Sequence, residues 1–187
     1  TDNVAKALTL LYESSVSASG TAIDGSTVSF QANQNGSSYQ MVDSRFPLGY
    51  NTSFRDFDSG ALIESSSTNA GWPVSAVSAL EFTKETIDYF KTNHSYDAVD
   101  RQGADLLIAV DMDEENAFFS SSVGAMVLGI GAGQIAKSGL SFAASKDVVG
   151  HEITHGVVGS TSGLVYEYQS GALNESFSDF FGASMQS

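Results

Sequence analysis

The chain has 187 residues, 42% of them hydrophobic, and its 22 acidic side chains against 8 basic ones give a formal net charge of −14. That length allows one domain with a real core, or at most two small ones, and that charge argues against nucleic acid or an anionic membrane as a partner, because both would repel the chain. Cysteine is absent, which excludes disulfides and thiolate metal sites and leaves His, Asp and Glu to bind any metal.

No basic, apolar, small-residue order of a targeting peptide opens the chain at Thr1. The longest apolar stretch, Val123 to Ile135, is short and broken by glycines, so no bilayer-spanning helix is expected. The expectation is a soluble, secreted protein. Short alternating or β-branched runs, Thr27 to Phe30 and Tyr39 to Val42, flank Asn35-Gly36 and predict a hairpin turning there. Ser44 to Trp72 is rich in Ser, Gly and Asn and reads mostly as loop. Pro73 opens a helix on which Val77, Leu80, Ile87 and Phe90 recur at helical spacing. His94 falls at its C-terminal end, where the helix dipole favours it at the surface.

Leu106 to Val110 reads as a short buried strand, and the acidic run Asp111 to Glu115 as a solvated loop. A glycine-punctuated apolar stretch follows from Ala125 to Gly133, and two helices close the chain at about Asp147 to Gly159 and Gly171 to Met185. The whole of 1–187 reads as a single α+β domain: a β-rich part with one helix over 1–135, its sheet mixed but mainly antiparallel, then metal-binding helices over 136–187.

The first of those helices carries H-E-x-x-H as His151-Glu152-Ile153-Thr154-His155. Residues four apart share a helix face with Cβ atoms about 5–6 Å apart, so two imidazoles can converge on one tetrahedral Zn²⁺. Glu152, one step round, cannot ligate alongside both, but it can reach water at the metal as a general base. A helix can also simply carry two histidines. The metal reading gains from the next helix, where Glu175 and Asp179 lie four apart. A catalytic zinc takes three protein ligands and keeps one position open. Glu175 can be the third, and Asp179 can accept the outward N–H of a ligating histidine, preferably His151. The alternative is a solvated acidic stripe, against which the flanking Leu173, Phe177, Phe180 and Phe181 leave little of this helix for water.

The segment from His151 to Gly182 resembles the thermolysin (M4) family of gluzincin peptidases. The H-E-x-x-H helix is followed at family spacing by Gly163-Leu164-Val165-Tyr166 and by Gly171-Ala172-Leu173-Asn174-Glu175-Ser176-Phe177-Ser178-Asp179. The resemblance implies an endopeptidase with His151, His155 and Glu175 as zinc ligands and Glu152 as the base that passes its proton to the leaving amine. It implies that Tyr166 helps stabilise the tetrahedral oxyanion, although alone Tyr166 would read as a packed loop residue. Asn116 and Ala117 match the edge-strand segment that holds the substrate backbone, and Val148 and Phe142 would line an apolar pocket for the residue after the scissile bond. Peptides and proteins are the implied substrates.

Three departures qualify it. The resemblance implies that family members continue into a helical second domain that closes the cleft and brings a histidine donor; that domain is expected to lie outside this chain and is an implied partner. Asp147 matches a calcium carboxylate, but Gln186 stands where a second is expected, and Glu64 to Asn69 offers one carboxylate to a second calcium loop. Gly133 to Lys146 is longer than usual and lacks the expected proline. The readings left standing are a zinc endopeptidase core, a zinc-bearing but catalytically silent fragment or peptide-binding module, and an acidic β-rich domain with an accidental motif.

Overall fold

The computed structural model describes residues 15–46, 50–97, 99–101, 105–130 and 141–186. An antiparallel sheet in the order β1-β2-β3-β6 is built from β1 (Ser15–Thr21), β2 (Thr27–Asn35), β3 (Ser38–Gln40) and β6 (Glu64–Ser65). A second sheet in the order β4-β5-β7-β9-β8 uses β4 (Val42–Phe46), β5 (Tyr50–Asp56), β7 (Leu106–Met112), β8 (Ala117–Ser120) and β9 (Ala125–Gly129). Its β5/β7 and β7/β9 ladders are parallel, while β4/β5 and β8/β9 are antiparallel. Among the described residues three helices complete the α+β arrangement: α1 (Val74–His94), α2 (Lys146–Thr161) and α3 (Tyr168–Ser184), with a short 3-10 turn at Phe142–Ala144.

The two sheets meet at Met41. Its N–H donates to Ile63 O at 2.8 Å, its carbonyl accepts from Phe54 N at 3.1 Å, and its side chain is wholly buried. Around it the core joins Phe30, Phe54, Val77, Leu80, Ile87, Ile108, Val110, Met126 and Leu128 with Val149 and Ile153 of α2. Truncating a core residue such as Ile153 to alanine would cost about 2–5 kcal/mol, because the packed neighbours only partly close the cavity. The functional helix is therefore anchored in the main core rather than laid on its surface.

Four sequence expectations are corrected. The segment from Ser44 to Trp72 is not loop throughout: among its turns it holds β5, a central strand, with β6 and the end of β4. Thr52 and Phe54 point into the core with no exposure, alternating with half-buried Ser53 and Arg55. With Tyr50 and Phe54 set among polar residues, period-2 alternation leaves little hydropathy signal. The hairpin loop is Gly36-Ser37 rather than Asn35-Gly36, since Asn35 still pairs with Ser38. Gly36 alone takes a positive φ, +60°, as glycine does at the first central position of a type II′ turn. The acidic run is not all solvated loop, because Asp111 and Met112 finish β7. Finally, Leu173, Phe177 and Phe180 do not shield α3 from water: they are 46%, 41% and 64% exposed, and only Phe181 tucks in, against Phe90 and His94. The stretch from Gly133 to Lys146 lies largely outside the described residues.

Asp111 is half-buried at a register shift of β7, with φ +66° and its Oδ2 accepting from Ser75 Oγ at 2.9 Å. Burial raises its carboxyl above the usual carboxylate range, the Ser75 hydroxyl opposes this, and the charge of Asp56 adds to the rise. A raised folded-state pKa means that protonation favours folding: the contribution is complete below the unfolded carboxylate pKa and is lost as pH rises through the folded one. Asp111→Asn keeps an acceptor and tolerates the left-handed backbone. Urea unfolding between pH 3 and 8 should find the variant more stable than wild type near neutrality, with the difference closing towards pH 3. A constant difference across that range would contradict the assignment.

Candidate metal centre and cleft

Helix α2 crosses α3 with almost no side-chain volume between them. A Cβ on Gly182 would stand 2.6 Å from Asp147 O and 3.3 Å from His151 Cβ, and one on Gly150 would stand 2.7 Å from Met185 Sδ. On the other side of α2, a Cβ on Gly156 would meet the ring of Phe119 in β8 at 2.7 Å. Glycines therefore let α2 sit backbone-close to α3 and take the Phe119 ring of the second sheet against its own backbone. The strip left open between them is a cleft of about 1080 Å³.

All ten candidate residues line this cleft: Asn116, Ala117, Phe142, Val148, His151, Glu152, His155, Tyr166, Glu175 and Asp179. His151 Nε2 and His155 Nε2 are 3.0 Å apart, and Glu175 places Oε2 at 3.3 Å from the first and Oε1 at 3.6 Å from the second. The opposite ring nitrogens are taken. Asp179 Oδ1 lies 3.0 Å from His151 Nδ1, while Asn174 Oδ1 lies 2.8 Å and Ser178 Oγ 3.1 Å from His155 Nδ1. Asn174 and Ser178 are buried, and Asn174 Nδ2 donates to Leu164 O at 3.5 Å, which turns its oxygen towards the histidine.

That second set of contacts fixes the chemistry of the first. With Nδ1–H of each ring donated outward, both Nε2 atoms present lone pairs, and they face each other and a carboxylate. Two nitrogen lone pairs and a carboxylate so close need a cation between them. A tetrahedral zinc with bonds of 2.0–2.1 Å has ligand–ligand edges of about 3.3 Å; here the two nitrogens are 3.0 Å apart, and the carboxylate brings one oxygen to 3.3 Å from the first and the other to 3.6 Å from the second. The residues fit the ion. Among the described residues these three form the one His, Asp or Glu group close enough to hold a metal. Asp147 accepts instead from Ser145 Oγ and from Val148 N.

Glu152 is only 6% exposed yet borders the cleft. Burial foremost, then the charge of Glu175, pushes its carboxyl up to about 7, and a hydrogen bond with the Phe119 backbone pulls the other way. Tyr166 is 64% exposed on the α2–α3 loop, its hydroxyl donating to Glu175 and its ring 5.8 Å from that of His155. Asn116 and Ala117 stand at the start of β8, the terminal strand of its sheet, so among the described residues one edge of backbone groups has no strand beside it. Phe142 and Val148 are partly buried at the N-terminal end of α2.

The sequence reading passed over Asn174, Ser178 and the glycines. Asn174 and Ser178 are four apart beside Glu175 and Asp179, so paired stripes on one helix were the available signal. The close crossing generates a prediction. Gly182→Ala forces the helices apart at the turn holding Asp179 and His151, and overpacking of this kind costs about 1–3 kcal/mol. Zinc affinity, measured against a competing chelator, should fall about 10–100-fold, as it does when outer-shell support is lost; affinity equal to wild type would contradict the claim that this contact sets the ligand geometry.

Comparison with known proteins gives the family. The family model for the thermolysin metallopeptidase catalytic domain matches residues 17–159, and that for the thermolysin metallopeptidase alpha-helical domain matches residues 162–187. Bacillolysin of Brevibacillus brevis is 37% identical over 173 residues, covering 90% of this chain and 32% of the relative. An extracellular elastase of Staphylococcus epidermidis is 40% identical over 111 residues, covering 57% and 21%. Among solved structures, the precursor of protealysin, a metalloproteinase from Serratia proteamaculans, aligns with a TM-score of 0.61 at 30% identity, covering 72% of this chain and 42% of that one. The chain thus spans about a third of the length of the bacillolysin it matches. On its folded geometry and on these matches, the chain belongs to the thermolysin family of metallopeptidases.

Proposed function

We propose that this chain is the zinc-binding core of a secreted endopeptidase that hydrolyses peptide bonds and prefers an apolar residue after the scissile bond. The observation that carries the proposal is the convergence of His151 Nε2, His155 Nε2 and Glu175 beside a buried glutamate in an open cleft. His151, His155 and Glu175 would hold the ion, with Asp179 and Asn174 orienting the two rings. Zinc held there supplies Lewis acidity, polarising the substrate carbonyl and acidifying water.

The remaining roles belong to the chain. Glu152 takes the proton of the attacking water and delivers it to the leaving amine, and its low exposure suits a base that must work near neutral pH. Tyr166 donates its hydroxyl to the oxyanion that develops on the substrate. The open edge at Asn116 and Ala117 hydrogen-bonds an extended substrate backbone as an added strand would. Phe142 and Val148 take the apolar side chain. The extracellular name of the staphylococcal relative supports secretion, and among the described residues no helix is long and apolar enough to cross a membrane. The carboxylates of Asp147 and Glu64 offer little to calcium: Asp147 bonds Ser145 and Val148, and Glu64 accepts from Ser38 and Gln40.

A second reading has its own observation. Leu173, Phe177 and Phe180 form an exposed stripe on α3, in the segment that matches the alpha-helical domain. We propose that residues 1–187 fold as one N-terminal unit and that further helices of that domain cover the stripe and complete the cleft, so that this chain by itself holds zinc and is nearly silent. Removing one oxyanion donor alone costs about 10²–10³ in rate.

Zinc content and cleavage of a fluorogenic peptide, measured together on wild type and Glu152→Gln, test the function. About one zinc per chain is expected in both proteins. Any cleavage by the wild type, or by a longer form bearing the helical domain, should fall about 10²–10⁴-fold in the variant. Folded protein that cannot be loaded with zinc would refute the metal centre, and a variant within a few-fold of wild type would refute Glu152 as the base.

A further inference from the structure

Five carboxylates line the cleft, those of Glu115, Asp147, Glu152, Glu175 and Asp179, and among the described residues no lysine or arginine does. The proposed reaction uses three of them: Glu175 for the metal, Glu152 for the proton and Asp179 for His151. Glu115 and Asp147 are left over. Glu115 is exposed next to Asn116, at the end of the strand edge open to an extended peptide, and has no ion-pair or hydrogen-bond partner among the described residues. Asp147 uses Oδ1 to accept from Ser145 and Val148, and its second oxygen has no partner among the described residues. It sits beside Val148 in the chain, near Phe142 and Ala183 of the same wall. The basic neighbour Lys146 is turned away and bonded to Glu85 of α1 at 2.9 Å.

A divalent ion would offset two negative charges, and the carboxylates that remain keep the cleft acidic. A lysine or arginine beside the apolar residue suits such a rim, because its long aliphatic stem carries the charged head out to a carboxylate. An acidic side chain in the same place meets like charge with no cation to relieve it, and juxtaposed like charges reject a ligand more firmly than attraction selects one.

We infer that Glu115 and Asp147 make the cleft selective for peptides carrying basic residues on either side of the two residues joined by the cleaved bond and hostile to acidic ones there. The inference rests on the peptide-binding reading above and adds a substrate class to it. The pairs are at the rim, so each contributes modestly and is weakened by salt.

The test uses the zinc-loaded 187-residue chain and three fluorescent hexapeptides that differ only in having Lys, Gln or Glu at the positions flanking a central Ala-Leu bond. Fluorescence anisotropy gives each Kd at low and at high salt, and chelator competition on the same samples reports zinc. The lysine peptide should bind about 3–10-fold more tightly than the glutamate peptide at low salt, with glutamine between, and salt should compress the order. Glu115→Gln and Asp147→Asn should each shrink it, while Asp58→Asn, an exposed acid outside the cleft lining, should leave it unchanged. An order independent of charge overturns the proposal, as does one equally affected by Asp58→Asn, which would mean that the net charge of the chain acts from a distance. Failure to bind any of the peptides while zinc is held overturns it too and leaves the metal centre standing; failure to hold zinc refutes the metal centre itself.

Discussion

Gly182 of α3 lies against the carbonyl of Asp147 in α2, and Gly150 of α2 lies against Gly182 and Met185. Everything at the metal centre depends on that contact. His151 is one turn along α2 from Asp147, and Asp179 and Glu175 are one and two turns back along α3 from Gly182. Helix geometry then sets the four side chains at a fixed separation, and no loop intervenes to blur it. A methyl group at the crossing would part the backbones, whereas glycine costs each helix about 1 kcal/mol relative to alanine. The chain accepts that local cost for a rigid approach of two ligand-bearing helices.

The same approach creates a second demand. Ring nitrogens and a carboxylate brought to 3.0–3.6 Å repel unless a cation joins them. Outward hydrogen bonds from His151 to Asp179 and from His155 to Asn174 keep the lone pairs aimed inward rather than letting the rings turn away. The centre is strained in charge and settled in geometry, which is how a site binds a metal tightly while changing shape little. The core supports this: Val149 and Ile153, on the opposite face of α2, are buried among residues of both sheets.

Much of this was legible in the sequence, for reasons that differ by element. The paired histidines share a face by helix periodicity alone, and α1 and β7 announce themselves through apolar residues at the right period. β5 hid because its inward residues are threonine and phenylalanine among Asn, Ser and Arg, so a central strand looked like a polar loop. Packing partners were harder still. Burial of α3 was read from its phenylalanines, yet Phe177 and Phe180 face outward. Sequence gives the amphipathic stripe but not whether anything covers it. The glycines of the crossing looked like helix-weakening residues until the partner helix placed a backbone against them.

The central claim is that two imidazoles and one carboxylate from α2 and α3 form a closed half-shell for zinc. X-ray absorption at the zinc edge, on the chain loaded with one equivalent of the metal, tests it most directly. The account predicts two imidazole rings and oxygen donors at about 2.0–2.1 Å in a four-coordinate shell. A spectrum with no imidazole scattering, or with zinc surrounded only by oxygen, would contradict it.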